Sequence, residues 1–457
     1  MNIIICGAGR VGITIAKLLS EQNHSITVID QSSEDIQKIN ETLDVKAIVG
    51  KATSPAILEK ANISEANMII AVTRNDEINM LICQIAYSLF KTPKKIARIR
   101  AQEYLDPKFS QLFNKDNLPI DFVISPEIEI AKSIHRKLES PGASDNVPFA
   151  NNNIRLLEIP VDERCPINNI KLNELTKKFP KLNANILGVV RDEKFIFLKK
   201  NDVMKKNDKA YVSINASQIK ETLEAFGHND PISKKILLIG GGNIGYNLAK
   251  YIESSPSDTR LKIIEKNKDR AEFLASELSN TIVINGNGLD EEVLKEANLD
   301  ETETVIALTN DDEDNLMVGV LVEKFSQNKR TMVLTTKPNY SLLQSSLNID
   351  DLIDPRMNTV SSILKHVHKG TIESAYSILN GEYEVIEAEI IETSDLINKE
   401  LKSAELPDEI KIGAVLRGKE VIIPRSSYIF KKNDILVFIA KKDQIPLIEN
   451  IFRISAV

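Results

Sequence analysis

Short apolar runs rich in Ile and Val alternate along this chain with longer stretches whose apolar residues return every three or four positions. Residues 2–6, 25–29 and 68–72 are such runs, and 235–239, 261–264 and 305–308 repeat them in the second half. Runs this apolar read as strands buried on both faces. The amphipathic stretches between them read as covering helices, which is the βαβ rhythm of a parallel sheet. Each half then changes character. After Ser140-Pro141-Gly142 and the polar Asn151-Asn152-Asn153, shorter strands are expected at 154–161, 186–191, 194–198 and 209–214, with helices at 170–179 and 216–226. The second half repeats the plan with strands at 383–391, 412–417, 420–423 and 435–440, a helix ending at Ala404 and a closing helix. Residues 227–233, with Pro231, link the halves. The expected fold class is α/β: two Rossmann-like parallel-sheet domains, 1–139 and 233–370, each followed by a small α+β domain, 152–227 and 380–457.

The duplication is explicit at the glycines. Gly7-Ala8-Gly9-Arg10-Val11-Gly12 follows the first strand, and Gly240-Gly241-Gly242-Asn243-Ile244-Gly245 follows its counterpart. One glycine turn is weak support for anything, since glycines recur in turns of every kind. Two in matching surroundings mark a duplicated nucleotide-binding protein. The first glycine of such a loop turns the chain out of the strand, the second lets backbone approach a pyrophosphate, and the third lets the helix pack on the sheet. The helix offers free N–H groups and a positive dipole end to the phosphates. A carboxylate about twenty residues on closes the next strand and accepts from a ribose hydroxyl; Asp30 and Glu265 stand there. An acid at that point repels a 2′-phosphate and so favours NAD(H) over NADP(H). The repeat continues in Val49-Gly50-Lys51-Ala52-Thr53 against Asn285-Gly286-Asn287-Gly288-Leu289, and in Thr73-Arg74-Asn75-Asp76-Glu77-Ile78-Asn79 against Thr309-Asn310-Asp311-Asp312-Glu313-Asp314-Asn315. Thr73 and Thr309 end strands where an open α/β sheet places its ligand crevice.

A chain of 457 residues exceeds what one core organises. Its net charge of −7 supplies no basic surface, which excludes nucleic acid as a partner. No apolar run reaches the length of a membrane span and the first strand leaves no room for a leader, so a cytoplasmic protein is expected. Cys6, Cys83 and Cys165 form no ligand spacing, and Cys6 and Cys83 read as core residues. His366 and His368, two apart on an expected helix, face different ways and make a poor metal pair. No residue is assigned a catalytic or metal-binding role.

The strand–glycine-loop unit with Asp30, the Gly-x-Ala-Thr turn at Gly50–Thr53 and the Thr-x-x-Asp-Glu-x-Asn segment from Thr73 resemble the N-terminal domain of the RCK (also called KTN) family. The small strand-rich units, with Val-x-Arg and Lys-x-x-Asp turns, resemble its C-terminal domain. Two such pairs in one chain without a membrane segment are similar to the nucleotide-binding regulatory components of Trk-type potassium uptake systems. The resemblance covers almost the whole chain. It implies NAD(H), and adenine nucleotides such as ATP and ADP more generally, as ligands of the N-type domains. It also implies assembly as a homotetramer or homodimeric ring, through helices such as 127–138, at the inner face of the membrane. There the ring would meet an integral-membrane potassium-translocating subunit, whose pore it gates. A nucleotide can bias such a ring only by binding its two shapes with different affinity, and no bond need be made or broken.

On this reading the cofactor-binding residues are Gly7, Gly9, Arg10, Val11, Gly12, Asp30, Lys51, Ala52, Thr73 and Arg98 in the first half. In the second they are Gly240, Gly242, Asn243, Ile244, Gly245, Glu265, Asn287 and Thr309. The halves are uneven. Arg98 and Arg100 alternate with Ala97 and Ile99 along an expected fifth strand, and a charge there either meets a phosphate or an acid or marks a less buried edge. Their counterparts are Leu334 and Thr336, and Arg10 becomes Asn243. The second cradle is therefore expected to lack cations, and to be weaker or selective for a different nucleotide. Lys51 stands where the family carries Asp; it either selects a more negatively charged ligand or points to solvent. The acidic run Asp311–Asp314 is either a solvated turn or a divalent-cation or intersubunit contact. Two other functions use the same parts. A dehydrogenase shares the glycine loop but needs a general acid or base beside the nicotinamide, and a sensor of this build also suits a potassium efflux system.

Overall fold

The computed structural model describes residues 1–451 except 23, 181, 256–257, 326–328, 345 and 368–371. They gather into two compact units. One holds Met1–Ile130 with Asp354–Leu364, and the other holds the remaining described residues.

In the first unit six parallel strands, β1 (Asn2–Cys6), β2 (Ser25–Asp30), β3 (Lys46–Val49), β4 (Met68–Ala71), β5 (Lys94–Arg98) and β6 (Phe122–Ile124), stand in the order β3-β2-β1-β4-β5-β6. β1 is central, with Asn2 opposite Ser25 on one side and Ile3 opposite Met68 on the other. Ile3, Ile4, Ile5 and Cys6 are all buried, which explains the unbroken apolar run. Each such isoleucine contributes about 1.5–3 kcal/mol. Between the strands run α1 (Arg10–Glu21), α2 (Ser33–Thr42), α3 (Pro55–Lys60) and α4 (Asp76–Phe90), and α5 (Pro126–Glu139), which passes into the second unit after Ile130, follows β6. α1 buries Ile15, Ala16, Leu18 and Leu19 along one stripe. Ser32 Oγ accepts from Asp35 N and Asn75 Oδ1 from Ile78 N, capping α2 and α4.

The second unit begins with a small antiparallel sheet. Its elements are β7 (Asp145–Phe149), β8 (Ile154–Pro160), α6 (Leu172–Lys178), β9 (Ala184–Arg191), β10 (Lys194–Ile196), β11 (Lys209–Asn215) and α7 (Ile219–Ala225), with strand order β10-β9-β11-β8-β7. A second parallel sheet follows: β12 (Lys235–Ile239), α8 (Asn243–Ser254), β13 (Arg260–Glu265), α9 (Lys268–Glu277), β14 (Ile282–Asn285), α10 (Glu291–Glu296), β15 (Thr304–Ala307), α11 (Asp312–Phe325), β16 (Arg330–Leu334) and β17 (Asp351–Ile353). Its order, β14-β13-β12-β15-β16-β17, repeats that of the first. α12 (Pro355–Val367) comes next in the chain, and its residues up to Leu364 belong to the first unit. The last sheet is β18 (Ile372–Ile378), β19 (Tyr383–Glu389), β20 (Ile410–Arg417), β21 (Glu420–Ile422) and β22 (Ile435–Lys441), in the order β18-β19-β22-β20-β21, closed by α13 (Ile445–Ile451). The two small sheets share one core, in which Leu156, Leu187 and Tyr211 meet Val385, Ala414 and Ile439.

The α/β architecture is the one the patterning predicts, with three corrections. Asp145–Phe149, ahead of the polar Asn151-Asn152-Asn153 turn, forms a further strand, β7, paired with β8. The helix expected to end at Ala404 is only a 3₁₀ turn at Leu401–Ser403, flanked by Asn398 and Glu405 at φ 58° and 49°, left-handed conformations that interrupt a helix. Arg100 lies beyond β5, which ends at Arg98. Cys6, Cys83 and Cys165 are buried free thiols, and burial pushes Cys83 up to about 12. His366 lies in α12, and His368 is outside the described residues. No helix among the described residues is long and apolar enough to cross a membrane.

Candidate dinucleotide sites

Each glycine loop sits at the C-terminal edge of its parallel sheet, where the strand order reverses between β1 and β4 or between β12 and β15. That reversal opens the crevice in which such folds bind ligands. Three backbone hydrogen bonds tie the loop and its neighbouring turns together. Gly7 N donates to Ile29 O at 2.9 Å, Val72 N to Cys6 O at 2.8 Å, and Gly50 N to Asp30 O at 2.8 Å. Gly9, Arg10, Val11, Gly12, Asp30, the Lys51–Ala52 turn and Thr73 are thereby gathered around one crevice. Ala52 is buried and Lys51 exposed.

The three glycines have different physical causes. Gly7 has φ +115°, and a Cβ there would lie 2.9 Å from Val72 O; a Cβ on Gly12 would lie 1.9 Å from Gly7 O. Fold alone therefore demands both. Gly9 is different: its φ is −70° and ψ 179°, open to any residue, and a Cβ there meets nothing within 4 Å. Gly242 repeats this, with φ −60°, ψ −168° and nothing within 4 Å. Neither glycine is required by the chain's own packing, and both stand where a ligand's phosphates would approach. α1 and α8 carry no side-chain cap at these residues, unlike α2 and α4, so their leading N–H groups face the crevice.

The carboxylates hold matching positions. Asp30 Oδ2 accepts from Ala8 N at 2.6 Å and Oδ1 from Ser32 N at 2.9 Å. Glu265 Oε2 accepts from Gly241 N at 2.8 Å and Oε1 from Asn267 N at 2.7 Å. On the far side Asn79, fully buried, ties β4 to β5: its Oδ1 accepts from Thr73 N and Oγ1, and its Nδ2 donates to Arg98 O. Asn315 does the same for Thr309 and Leu334. The repeated Thr-to-Asn spacing was the sequence signal for this clasp.

Arg98, at the end of β5, is partly buried and not on an edge, since β6 lies outside it. Its Nε and Glu127 Oε2, on the first turn of α5, are both buried without a hydrogen-bond partner. Burial lowers the Arg98 guanidinium and raises the Glu127 carboxyl, each opposed by the other's charge. The second cradle is not without a cation, contrary to the sequence expectation. Arg270, on the first turn of α9, donates from Nε to Gly241 O at 2.8 Å, and its guanidinium lies over the rings of Tyr246 and Phe273. Its Nη2 is buried without a partner. Its counterpart in the first half is Asp35, so the glycine loops by themselves do not reveal it. The remaining second-half residues lie at the crevice too: Gly240 has φ +104°, Gly245 packs on Gly240 O, Asn243 and Ile244 open α8, and exposed Asn287 accepts from Leu289 N. Asp311, Glu313 and Asp314 of the acidic run are exposed, as a solvated turn would be, and Asp312 is buried. Asp312 caps Thr336 N, Asp311 caps Asp314 N, and Glu313 pairs with Lys337 and Tyr340, which lowers it to about 2.

Two Rossmann-type sheets, each with a glycine loop and a small antiparallel domain after it, define a tandem RCK-type protein. The TrkA-N domain model matches residues 3–126 and 236–355, and the TrkA-C domain model matches 156–227 and 385–453. The chain is 38% identical to a Trk system potassium uptake protein TrkA of Azorhizobium caulinodans, covering 100% of this chain and 99% of that one. It is 34% identical to its namesake in Haemophilus influenzae over the same shares. A solved structure described as the GsuK channel bound to NAD superposes with a TM-score of 0.60 at 17% identity, covering 99% of this chain and 79% of that one, a likeness of fold. The chain belongs to the TrkA family.

Proposed function

We propose that this chain is the nucleotide-sensing regulatory subunit of a Trk-type potassium uptake system. It works at the inner face of the membrane as a homotetramer or homodimeric ring, organised as domains 1–139, 152–227, 233–370 and 380–457. The observation that carries the reading is the pair Gly9 and Gly242, glycines that no contact or backbone angle within the fold requires. The relatives' names supply the potassium uptake system, and the NAD in the GsuK structure supplies a precedent for the ligand.

In the first cradle the pyrophosphate lies over Gly9 and the start of α1, beside Arg10 and Val11, and Asp30 receives the ribose. Lys51, Ala52 and Thr73 border the adenosine and nicotinamide ends, and Arg98 turns its unpaired Nε toward the ligand's charge. In the second, Gly242, Asn243 and Ile244 take the phosphates and Glu265 the ribose, while Arg270 offers a guanidinium plane at the adenosine end. NAD(H) favours the first, and the second selects a different adenine nucleotide, ADP or ATP. The ring shape that binds the nucleotide more tightly is populated as it binds, and the membrane subunit responds to that shape. The chain's own residues bind and orient the nucleotide and carry out no reaction. Calorimetric titration with NADH, NADPH, ADP and ATP tests this, with NADH incubated alongside carbonyl substrates. Two distinguishable nucleotide sites and no turnover are expected; turnover, or a chain that binds none of the four, would overturn it.

A further inference from the structure

The two small domains differ in one place that the nucleotide sites leave unexplained. Between α6, α7 and the β9–β11 face of the first lies a partly open cavity of ≈ 1150 Å³, bordered also by Lys411 and Arg425 from β20 and the loop after β21. The matching place in the second domain holds ≈ 10 Å³. β9, β11 and α7 correspond position for position to β20, β22 and α13. The register is fixed by Arg191 on Asp208 in one domain and Arg417 on Asp434 in the other. On that register Ala184, Val212, Thr222 and Ala225 line the cavity, where Ile410, Phe438, Ile448 and Ile451 fill its counterpart. The same fold therefore packs this space solid in one copy and keeps it open in the other. Interiors ordinarily pack to crystal density, and binding pockets for small molecules measure about 300–1,000 Å³.

Its lining is chemically divided. Leu172, Leu175, Phe179 and Phe226 supply apolar wall, Lys199, Lys200, Lys411 and Arg425 supply cations, and among the described residues no acid lines it. Lys411 is the cation held in place. Its Nζ donates to Ile186 O at 2.7 Å and to Leu198 O at 3.2 Å, which leaves one of an ammonium's three donors. The acid that Lys411 senses is Asp202, whose carboxylate accepts from Lys199 N.

We propose that this cavity binds an amphipathic organic anion: an apolar body against α6 and α7, and a carboxylate, sulfonate or phosphate head at Lys411 and Lys199. The site shares no residue with either glycine loop and stands independently of the reading given to them.

The test titrates the full-length protein with the fluorescent sulfonate 8-anilinonaphthalene-1-sulfonate, then displaces it with dodecanoate or dodecanol. Saturable binding is expected, with dodecanoate displacing at least tenfold more effectively than dodecanol. Val212→Phe with Thr222→Ile, which installs the second domain's own residues, should weaken binding at least tenfold while the NADH titration stays unchanged. Lys411→Met should weaken dodecanoate about tenfold and spare dodecanol. Unsaturable binding by the wild type, equal displacement by acid and alcohol, or wild-type affinity in the filled variant would each overturn the proposal. Should the double variant not fold, Thr222→Ile alone carries the same expectation and the same refutation.

Discussion

Replacing Gly9 by alanine separates what the fold needs from what a ligand needs. The backbone at Gly9 is extended, φ −70° and ψ 179°, and the new methyl group meets nothing within 4 Å. Two small effects on stability oppose each other. Alanine is a poorer helix cap than glycine by about 0.5–1 kcal/mol, while the stiffer unfolded chain returns about 0.4–1 kcal/mol. Folding free energy should therefore change by less than about 1 kcal/mol. Nucleotide binding has no such offset, because the methyl group occupies the approach to the N–H groups of α1. A hundredfold loss of NADH affinity at the first cradle is expected, about 2.8 kcal/mol at 1.4 kcal/mol per tenfold. Calorimetry gives the affinity and urea unfolding the stability. Gly12→Ala is the contrast: its Cβ would lie 1.9 Å from Gly7 O, so the fold itself must shift and stability falls. If Gly9→Ala binds NADH as the wild type does, or unfolds as readily as Gly12→Ala, the assignment of Gly9 to the ligand is wrong.

Other outcomes follow from the same contacts. In a Gly9→Ala background, Arg270→Gln should weaken adenine-nucleotide binding to the second cradle about tenfold, measured by the same titration; unchanged affinity would return Arg270 to a structural role. Asp208 is buried and takes Arg191 Nε at 2.7 Å, Nη2 at 2.6 Å and Lys205 N at 2.8 Å, so Asp208→Ala strands a partly buried guanidinium and should cost about 3–5 kcal/mol in urea unfolding. Burial lowers the Lys411 ammonium to about 8, below its unfolded value. Between about pH 8 and 10.4 the unfolded chain then holds the extra proton, and stability rises with pH across that window. The wild type should gain stability relative to Lys411→Met over that range, and parallel curves would show that burial does not perturb this amine.

Much of this molecule was legible because the duplication doubles every signal. The parallel sheets show in unbroken apolar runs such as Ile3 to Cys6, and the crevices in glycine loops spaced from Asp30 and Glu265. What stayed hidden depends on contacts between distant segments. Arg270 looks like an ordinary polar residue on a helix until α9 folds back and its guanidinium reaches Gly241 O. β7 is obscured by Asp145, Asn146 and Pro148, which interrupt the apolar pattern of a strand but are tolerated in one at the sheet edge, paired with β8. The cavity in the first small domain is visible only when Ala184 and Val212 are set beside Ile410 and Phe438 at known depth. Within the exposed acidic run, composition does not disclose that Thr336 folds against Asp312 or that Lys337 and Tyr340 reach Glu313.

On the proposed function, nucleotide in the two cradles controls potassium movement through a separate membrane subunit. The most direct measurement is potassium flux through a Trk-type translocating subunit reconstituted in vesicles with this protein, followed as NADH, ADP or ATP is added. Flux should depend on nucleotide with the wild-type chain and become indifferent to it with Gly9→Ala/Gly242→Ala, although that variant still sediments with the vesicles. A double variant whose flux still follows nucleotide concentration as the wild type's does would contradict the account.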